Sequence, residues 1–557
     1  MNDDTGVIRH TKYRSLPEVT ISALTETGQD ESSIIVPLQR VYTGRIPVIS
    51  SHLADTLCAT LGVQCLLDQL NTTLGTSYSL SDNPSLSFLL EECITNRYDF
   101  GMAYGRLRGI WYSSDWSTIR DVLCRREDVD REERREALVV NRIVNTYLQP
   151  RRVWDLYSNR VVPYWIMDTD SDHCQWPQPI SHAWIDEKDR SVVLTPINGY
   201  KWPVPIPNDV DLNLIRIEML NLGLEYTWLD VLCLRQVGGP GEDLRTDEWK
   251  LDVPTIGAVY YNENVVCYLS GLGRPLTLTE GDLESDRSWF RRAWTLQEIG
   301  AWRVIAGDTP DGPLHAEHKD RKYETDLLTR FHRQLQSTHR TWEVREALEE
   351  MRKRASTISV DKIAGLAFIL GSESIPAYYE SASLEEAWTA LVNSMGYSCR
   401  TELFFLCPEP GNAGKKWMPS WDQAMTMPIP AFCPFPKIDI YWDETEDEAS
   451  CKAECIEGLV RGLAVMEGSD RHGEFIVKCD DGRAQFKITA AHTYPIPEDT
   501  YTLIYACEHG NQVIWHGWVV GRRLPKKGFE KVSVLIISDE EQDRLLRFTK
   551  RHRHILI

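Results

Sequence analysis

The hydrophobic pattern near the start of the chain predicts helices. Leu53, Leu57 and Leu61 recur at helical spacing, so that their side chains share one face. Residues 1–45, in contrast, are mostly polar. We therefore expect a polar leader over residues 1–45 and an N-terminal helical region over residues 46–150.

After residue 150 the pattern changes to short apolar segments separated by helical ones. Three of these segments are typical of buried strands: Ile180–Trp184, Tyr226–Leu234 and Val265–Leu269. A helix is predicted from Asp211 to Leu222, with Gly223 just past its end. Alternating strands and helices favour a parallel sheet, so we expect an α/β domain over residues 151–310. Ligands of such sheets bind at the carboxyl ends of the strands.

The last third of the chain divides into two patterns. Apolar stripes at helical spacing predict a helical region over residues 311–430, and Ser383 with Glu386 predicts a capping box within it. Residues 431–557 are typical of strands. They include a predicted hairpin that turns at residues 480–482, and further strands at Leu503–Tyr505, Val513–Trp515 and Val534–Ile537. The predicted fold is an α/β central domain with flanking helical regions and a β-rich C-terminal domain.

Composition and charge exclude several classes of protein. The chain is 42% hydrophobic and 26% charged, as in an ordinary globular protein. Its net charge of −21 argues against general binding to nucleic acid or to an anionic membrane. It has no apolar run of about eighteen residues and no signal-peptide core. We expect a cytoplasmic protein without a membrane span.

The sequence also lacks the common cofactor and metal motifs. The 14 cysteines are scattered without a CxxC pair, so neither a zinc site nor a disulfide framework is expected. Dinucleotide, phosphate-loop, zinc-protease and serine-hydrolase motifs are absent. We therefore expect no metal and no bound cofactor.

The richest candidate for chemistry is Ser285–Ile299, which has the sequence SDRSWFRRAWTLQEI. As a helix it would place Arg291, Trp294, Thr295 and Glu298 on one face. A carboxylate, an indole and a guanidinium together suit a glycosidic substrate. They are equally typical of a structural ion pair beside a buried tryptophan.

Two polar residues beside the predicted strands are further candidates. His182 is either a general base or a structural histidine with its hydrogen bonds satisfied. Asp230 lies among apolar residues, and a carboxylate there must be paired or must face a cleft.

Three sequence blocks resemble the heterokaryon-incompatibility (HET) domain of filamentous fungi. They are Ile180–Trp184 (ISHAW), Trp228–Gln236 (WLDVLCLRQ) and Arg292–Glu298 (RAWTLQE). They occur in the family's order and lie within residues 160–305. The resemblance implies non-self recognition, regulated cell death and a module that associates with itself and with protein partners.

The blocks depart from the family pattern in three places. Ile185 and Asp186 stand where the family usually has glycine, and Arg235 stands where asparagine or aspartate is common. Pro254 and Ile256 replace the usual glutamine and methionine. These departures lie at the predicted strand edge, where they would affect ligand binding.

HET domains are also distantly similar to TIR domains, which have a flavodoxin-like sheet. Some TIR domains cleave the nicotinamide–ribose bond of NAD with a glutamate, and by that resemblance Glu298 is the candidate catalytic residue. The candidate substrate-binding residues are Ser181, His182, Trp184, Asp230, Arg291, Arg292 and Trp294. Among them, Trp184 or Trp294 would stack on a base or nicotinamide ring, and Arg291 or Arg292 would hold a diphosphate.

The resemblance leaves a second hypothesis open. The blocks would then be signatures of the fold, and Glu298 would pair with an arginine in a non-catalytic signalling module. The position of the Glu298 carboxylate discriminates between the two hypotheses.

Overall fold

The computed structural model describes residues 19–21, 47–112, 116–167, 176–300, 302–308, 314–371, 374–429, 438–465, 471–479, 482–505 and 517–557. The chain forms two compact units. The first comprises Met1–Arg340, Arg354–Ser356 and Ala377–Tyr379, and the second comprises Thr341–Lys353, Thr357–Pro376 and Glu380–Ile557. Most of the predicted leader lies outside the described residues.

Along the chain, the described helices of the first unit occur before, between and after the strands of its main sheet. They are α1 (Ser51–Ala54), α2 (Cys58–Leu74), α3 (Pro84–Thr95), α4 (Phe100–Leu107), α5 (Ile119–Ala137), α6 (Leu212–Asn221), α7 (Asp230–Cys233), α8 (Arg245–Asp252), α9 (Ile256–Asn262) and α10 (Asp326–Ser337). The predicted helix after Asp211 is confirmed as α6. At the start of α6 the Asp211 carboxylate accepts a hydrogen bond from the backbone amide of Asn213. Gly223 follows the end of the helix at φ +81°.

The strands of the first unit are β1 (Val19–Ile21), β2 (Leu138–Val139), β3 (Arg142–Ile143), β4 (Arg152–Asp155), β5 (Arg160–Pro163), β6 (Gln178–His182), β7 (Arg190–Val193), β8 (Val204–Pro207), β9 (Tyr226–Trp228), β10 (Val265–Tyr268) and β11 (Arg303–Asp308). Seven of them form one sheet in the order β1-β11-β10-β6-β9-β4-β5. The first five strands in this order are parallel to one another. Strand β4 is antiparallel to both of its neighbours, β9 and β5.

The prediction of an α/β domain is therefore confirmed, but the sheet is mixed rather than wholly parallel. Its three central strands coincide with the apolar segments predicted from the sequence. The side chains of β10 are all buried, as a strand covered on both faces requires. A separate antiparallel hairpin pairs β7 with β8, with Arg190 opposite Pro207.

The strand predicted from Tyr226 to Leu234 is too long. It ends at Trp228, and Asp230 begins the one-turn helix α7. The Asp230 carboxylate accepts the amide of Val231 at 2.7 Å, which satisfies a backbone donor at the start of the turn. A buried turn and a buried strand are both apolar throughout, so this pattern did not discriminate between them.

The helix predicted over Ser285–Ile299 is wrong. The segment contains two 3-10 turns, Trp289–Arg291 and Trp294–Leu296, separated by extended backbone at Arg292. The Thr295 hydroxyl lies 2.6 Å from the carbonyl oxygen of Trp289 and 2.8 Å from that of Arg292. These carbonyls therefore bond to a side chain instead of continuing a helix.

The second unit combines helices with a large, mostly antiparallel sheet. Its described helices are α11 (Val344–Arg352), α12 (Asp361–Leu370), α13 (Leu384–Ser394), α14 (Tyr397–Leu406), α15 (Trp421–Thr426) and α16 (Asp539–Leu545). The capping box predicted at Ser383 and Glu386 is confirmed at the start of α13.

The strands of the second unit are β12 (Ile375–Pro376), β13 (Ile440–Asp443), β14 (Glu448–Arg461), β15 (Arg471–Cys479), β16 (Gly482–Ala490), β17 (Asp499–Tyr505), β18 (Gly517–Arg523), β19 (Gly528–Ile536) and β20 (Lys550–Leu556). Eight of them, β13 to β20, form one sheet that is antiparallel except for the parallel pairing of β19 with β20. The predicted hairpin is confirmed as β15 and β16. The strand predicted at Val513–Trp515 lies outside the described residues. No helix in the described part of the chain is long and apolar enough to cross a bilayer.

Candidate functional site

The carboxyl ends of three neighbouring parallel strands bring the predicted residues together. Ser181 and His182 end β6, which lies between β9 and β10. Asp230 follows β9 by two residues. Because parallel strands end at the same edge of a sheet, side chains distant in sequence meet there.

Glu298 is held at this edge by a serine. The Ser181 hydroxyl donates to Oε2 of Glu298 at 2.5 Å, and Nε1 of Trp289 donates to Oγ of Ser181 at 2.7 Å. An indole N–H can only donate, so the Ser181 oxygen accepts there and its own proton points to the carboxylate. Among the described residues, Glu298 forms no ion pair with an arginine.

The Glu298 carboxyl has the pKa of a group that exchanges a proton near neutrality. Burial raises its pKa from 4.5 to about 7, and the nearby Asp230 carboxylate adds to the rise. The Ser181 hydrogen bond and the cations His182 and Arg292 oppose it. The side chain is nevertheless partly exposed.

His182 and Asp230 form a second pair beside Glu298. Nε2 of His182 lies 3.0 Å from Oδ1 of Asp230, and Nδ1 lies 3.2 Å from the carbonyl oxygen of Ala183. Burial opposes charge on the imidazole, but the Asp230 carboxylate prevails and raises the pKa of His182. Burial likewise opposes charge on Asp230, yet His182 lowers its pKa. Each of the two groups therefore favours the charged form of the other.

Two arginines converge on Trp184. The guanidinium carbons of Arg292 and Arg190 lie 4.9 Å and 5.4 Å from the centre of its ring, and the His182 ring lies nearly parallel to it at 6.2 Å. A base or nicotinamide ring would have to displace one of these groups to stack on Trp184. In this structure the indole therefore holds cations in place.

A small pocket lies against Trp184. It is lined by His182, Ala183, Trp184, Ile185, Arg190, Pro205, Ile206, Pro207, Val231 and Leu272. Its volume of about 20 Å³ accommodates roughly one water molecule. Pockets for small ligands usually enclose about 300–1,000 Å³, so a nucleotide requires this one to open.

A buried arginine fixes the turn that carries Arg292 and Glu298. Nη1 of Arg354 donates to the Arg292 carbonyl oxygen at 2.9 Å and to the Thr295 hydroxyl at 2.7 Å. Arg354 and Thr295 are 4% and 2% exposed. Hydrogen bonds from a charged donor in a buried position strongly favour one backbone path.

The structure brings most of the predicted site residues together. Ser181, His182, Trp184, Asp230, Arg292 and Glu298 share the sheet edge. Arg291 instead points to Asp286, 3.4 Å away, on the surface. Trp294 packs against Tyr378, with 6.3 Å between ring centres.

Sequence reasoning missed three residues of the site: Arg190, Trp289 and Arg354. Trp289 lies within the candidate segment, but only the three-dimensional contact with Ser181 distinguishes it from the other tryptophan there. Arg190 and Arg354 lie outside all three sequence blocks, and no sequence signal marks them.

Comparisons with protein-family models, with curated proteins and with solved structures gave no match to this chain. The HET resemblance therefore depends on the three sequence blocks. Among the described residues, no group of three or more histidine, cysteine or acidic side chains is arranged to hold a metal ion.

Proposed function

We propose that this protein is a HET-type incompatibility protein whose α/β unit cleaves the nicotinamide–ribose bond of NAD to promote cell death. The observation that carries the proposal is the environment of Glu298. Its carboxyl bonds to a neutral hydroxyl rather than to an arginine, and its pKa is about 7. Half of such groups are ionised near neutral pH, which suits a catalytic carboxylate.

The chemistry follows from the charge that develops on the substrate. As the C1′–N bond breaks, its electron pair leaves with nicotinamide, and the ribose ring becomes positive. An ionised Glu298 facing that ring stabilises the charge and orients a water molecule. The water oxygen bonds to C1′ and its proton is released, giving ADP-ribose and neutral nicotinamide.

The other groups of the site have supporting roles in this proposal. Ser181 fixes one carboxylate oxygen, which leaves Oε1 for the substrate or the water. The His182–Asp230 pair supplies a fixed charge distribution beside the Glu298 carboxylate. Arg292 adds a cation that a phosphate group can approach.

The proposal is tested by incubating the purified protein with NAD and measuring nicotinamide release. We expect Glu298→Gln to lower the rate about 100-fold or more, because the amide cannot carry the negative charge. The matched control is Glu284→Gln, which alters an exposed carboxylate paired with Arg330. We also expect the rate to rise with pH through about 7 as Glu298 ionises. No release at high protein concentration, or equal release by Glu298→Gln, would contradict the mechanism.

A second candidate function is a non-catalytic signalling module that associates with itself. The small volume of the pocket beside Trp184 favours it, because no nucleotide enters a space of about 20 Å³. If the protein is such a module, light scattering should give a molar mass that rises with protein concentration, equally for wild type and Glu298→Gln. Neither protein should then release nicotinamide from NAD. A monomer that releases nicotinamide would contradict this candidate.

A further inference from the structure

The positive charge around Trp184 comes from two different parts of the fold. Arg292 belongs to the segment that carries Glu298, whereas Arg190 begins β7 in the separate β7–β8 hairpin. Both guanidinium groups lie over the same indole. Like charges repel, so this arrangement concentrates positive potential that an anion would relieve.

Arg190 is the more available of the two cations. Its ion pair with Glu187 spans 3.7 Å, and the Glu187 side chain is 89% exposed. Such a surface pair contributes little and is easily exchanged. Arg292, in contrast, is attracted by the carboxylates of Asp230 and Glu298. Its positive charge contributes a lowering effect to the pKa of each carboxyl group, although the pKa of Glu298 is raised overall.

The hairpin also supplies a large part of the pocket wall. Arg190 lines the pocket together with Pro205, Ile206 and Pro207 of β8. His182 and Trp184 line the same pocket, and His182 interacts electrostatically with Glu298. A ligand whose reactive end reaches Glu298 would therefore extend past Trp184 towards Arg190.

Guanidinium groups recognise particular anions. Their planar N–H donors match phosphate oxygens in paired hydrogen bonds, and two arginines suit two linked phosphates better than one. The ligand class that fits is a nucleoside diphosphate group.

We propose that Arg190, with Arg292, binds the diphosphate of the substrate, so that the site takes a dinucleotide and discriminates against an unphosphorylated nucleoside. This inference rests on the proposed function for the identity of the substrate. The phosphate contact itself does not depend on catalysis, and binding therefore tests it separately.

The experiment measures binding by calorimetry to the Glu298→Gln protein, with inorganic pyrophosphate, NAD and nicotinamide riboside as probes. We expect pyrophosphate and NAD to bind, Arg190→Ala to weaken both by about 10- to 100-fold, and Arg190→Lys to weaken them less. Nicotinamide riboside should bind weakly and be unaffected by Arg190→Ala. The matched control is Arg291→Ala, which removes a surface arginine of the same segment as Arg292.

The outcomes separate the two proposals. Equal pyrophosphate affinity in Arg190→Ala and the parent protein, or no pyrophosphate binding by the parent, overturns the role of Arg190. Arg190-dependent binding without nicotinamide release by wild type overturns the proposed function and leaves the phosphate site standing. Thermal melts of each variant exclude unfolding, and the partial affinity of Arg190→Lys provides a folded comparison that retains the charge.

Discussion

At the scale of single residues, the dominant feature is the electrostatic coupling of three closely spaced titratable groups. Asp230 and His182 alter the pKa of Glu298 and of each other, and Glu298 alters that of His182. His182 and Asp230 each favour the charged form of the other, whereas burial, and after it the Asp230 carboxylate, makes the Glu298 carboxyl harder to ionise. Of the two carboxyl groups, the one with the raised pKa is Glu298, whose ionised form the proposed chemistry needs.

This environment predicts a pH-dependent cost in stability. The folded protein holds a proton on Glu298 up to pH about 7, whereas the unfolded chain loses it near 4.5, so the free energy of unfolding falls as pH rises between these values. Glu298→Gln should therefore be about 1–3 kcal/mol more stable than wild type at pH 8 and equal to it at pH 4. Urea unfolding at both pH values measures this. A constant difference between the two proteins would contradict the raised pKa.

The sequence identified most of these residues, because the three blocks place particular side chains at strand ends. It could not identify their partners. A hydrogen bond such as the one between Trp289 and Ser181 joins residues far apart in the chain, and nothing local marks it. The predicted roles of Arg291 and Trp294 depended on a helical face that the segment does not form.

At the scale of secondary-structure elements, the turn from Trp289 to Glu298 depends on side chains rather than on a helical backbone. Thr295 and Arg354 bond to its carbonyl groups. Arg291, Trp294, Thr295 and Glu298 do occur at helical spacing, but these buried bonds stabilise a different backbone path. Tertiary contacts here outweigh local pattern.

We therefore expect the turn to be sensitive to changes that remove these donors. Arg354→Ala should lower the free energy of unfolding by about 2–4 kcal/mol, because it leaves buried acceptors without a partner. Thr295→Val, which keeps the shape of the side chain, should cost about 1–3 kcal/mol. Denaturant titration provides the measurement.

The control for this series is the neighbouring Lys353→Ala. Its amine lies on the surface, 65% exposed, beside Glu350. It should change stability by less than about 0.5 kcal/mol. Equal effects of Lys353→Ala and Arg354→Ala would show that the buried bonds do not stabilise the turn.

At the scale of the whole molecule, the second unit joins two regions that the sequence pattern separated at residue 430. Buried side chains connect its helices to its sheet. The amine of Lys531 donates to the carbonyl oxygen of Phe404 at 2.6 Å, and Arg400 donates to the carbonyl oxygen of Ile440 at 2.9 Å. Hydrophobic periodicity detects each element but not such links between elements, because they join residues far apart in sequence.

These links predict how fragments of the second unit behave. A fragment of residues 341–557 keeps the helices that the sheet residues bond to, and we expect it to melt cooperatively. A fragment of residues 438–557 lacks α14, so that buried Lys531 loses its acceptor and apolar surface becomes exposed. We expect the shorter fragment to aggregate or to melt without a sharp transition. Circular dichroism and light scattering compare the two fragments, and a cooperative melt of the shorter one would contradict this prediction.

The pairing of β1 with β11 has a consequence for how the chain is made. Val19 lies in register with Ile305, so the ribosome must synthesise nearly the whole first unit before that edge of the sheet can close. At about 5–20 residues per second, this delay lasts for tens of seconds. Until then β1 has no partner strand, and an unpaired strand invites association with other chains. The nascent protein is thus most exposed to aggregation, and most in need of chaperones, in the interval before β11 has been synthesised.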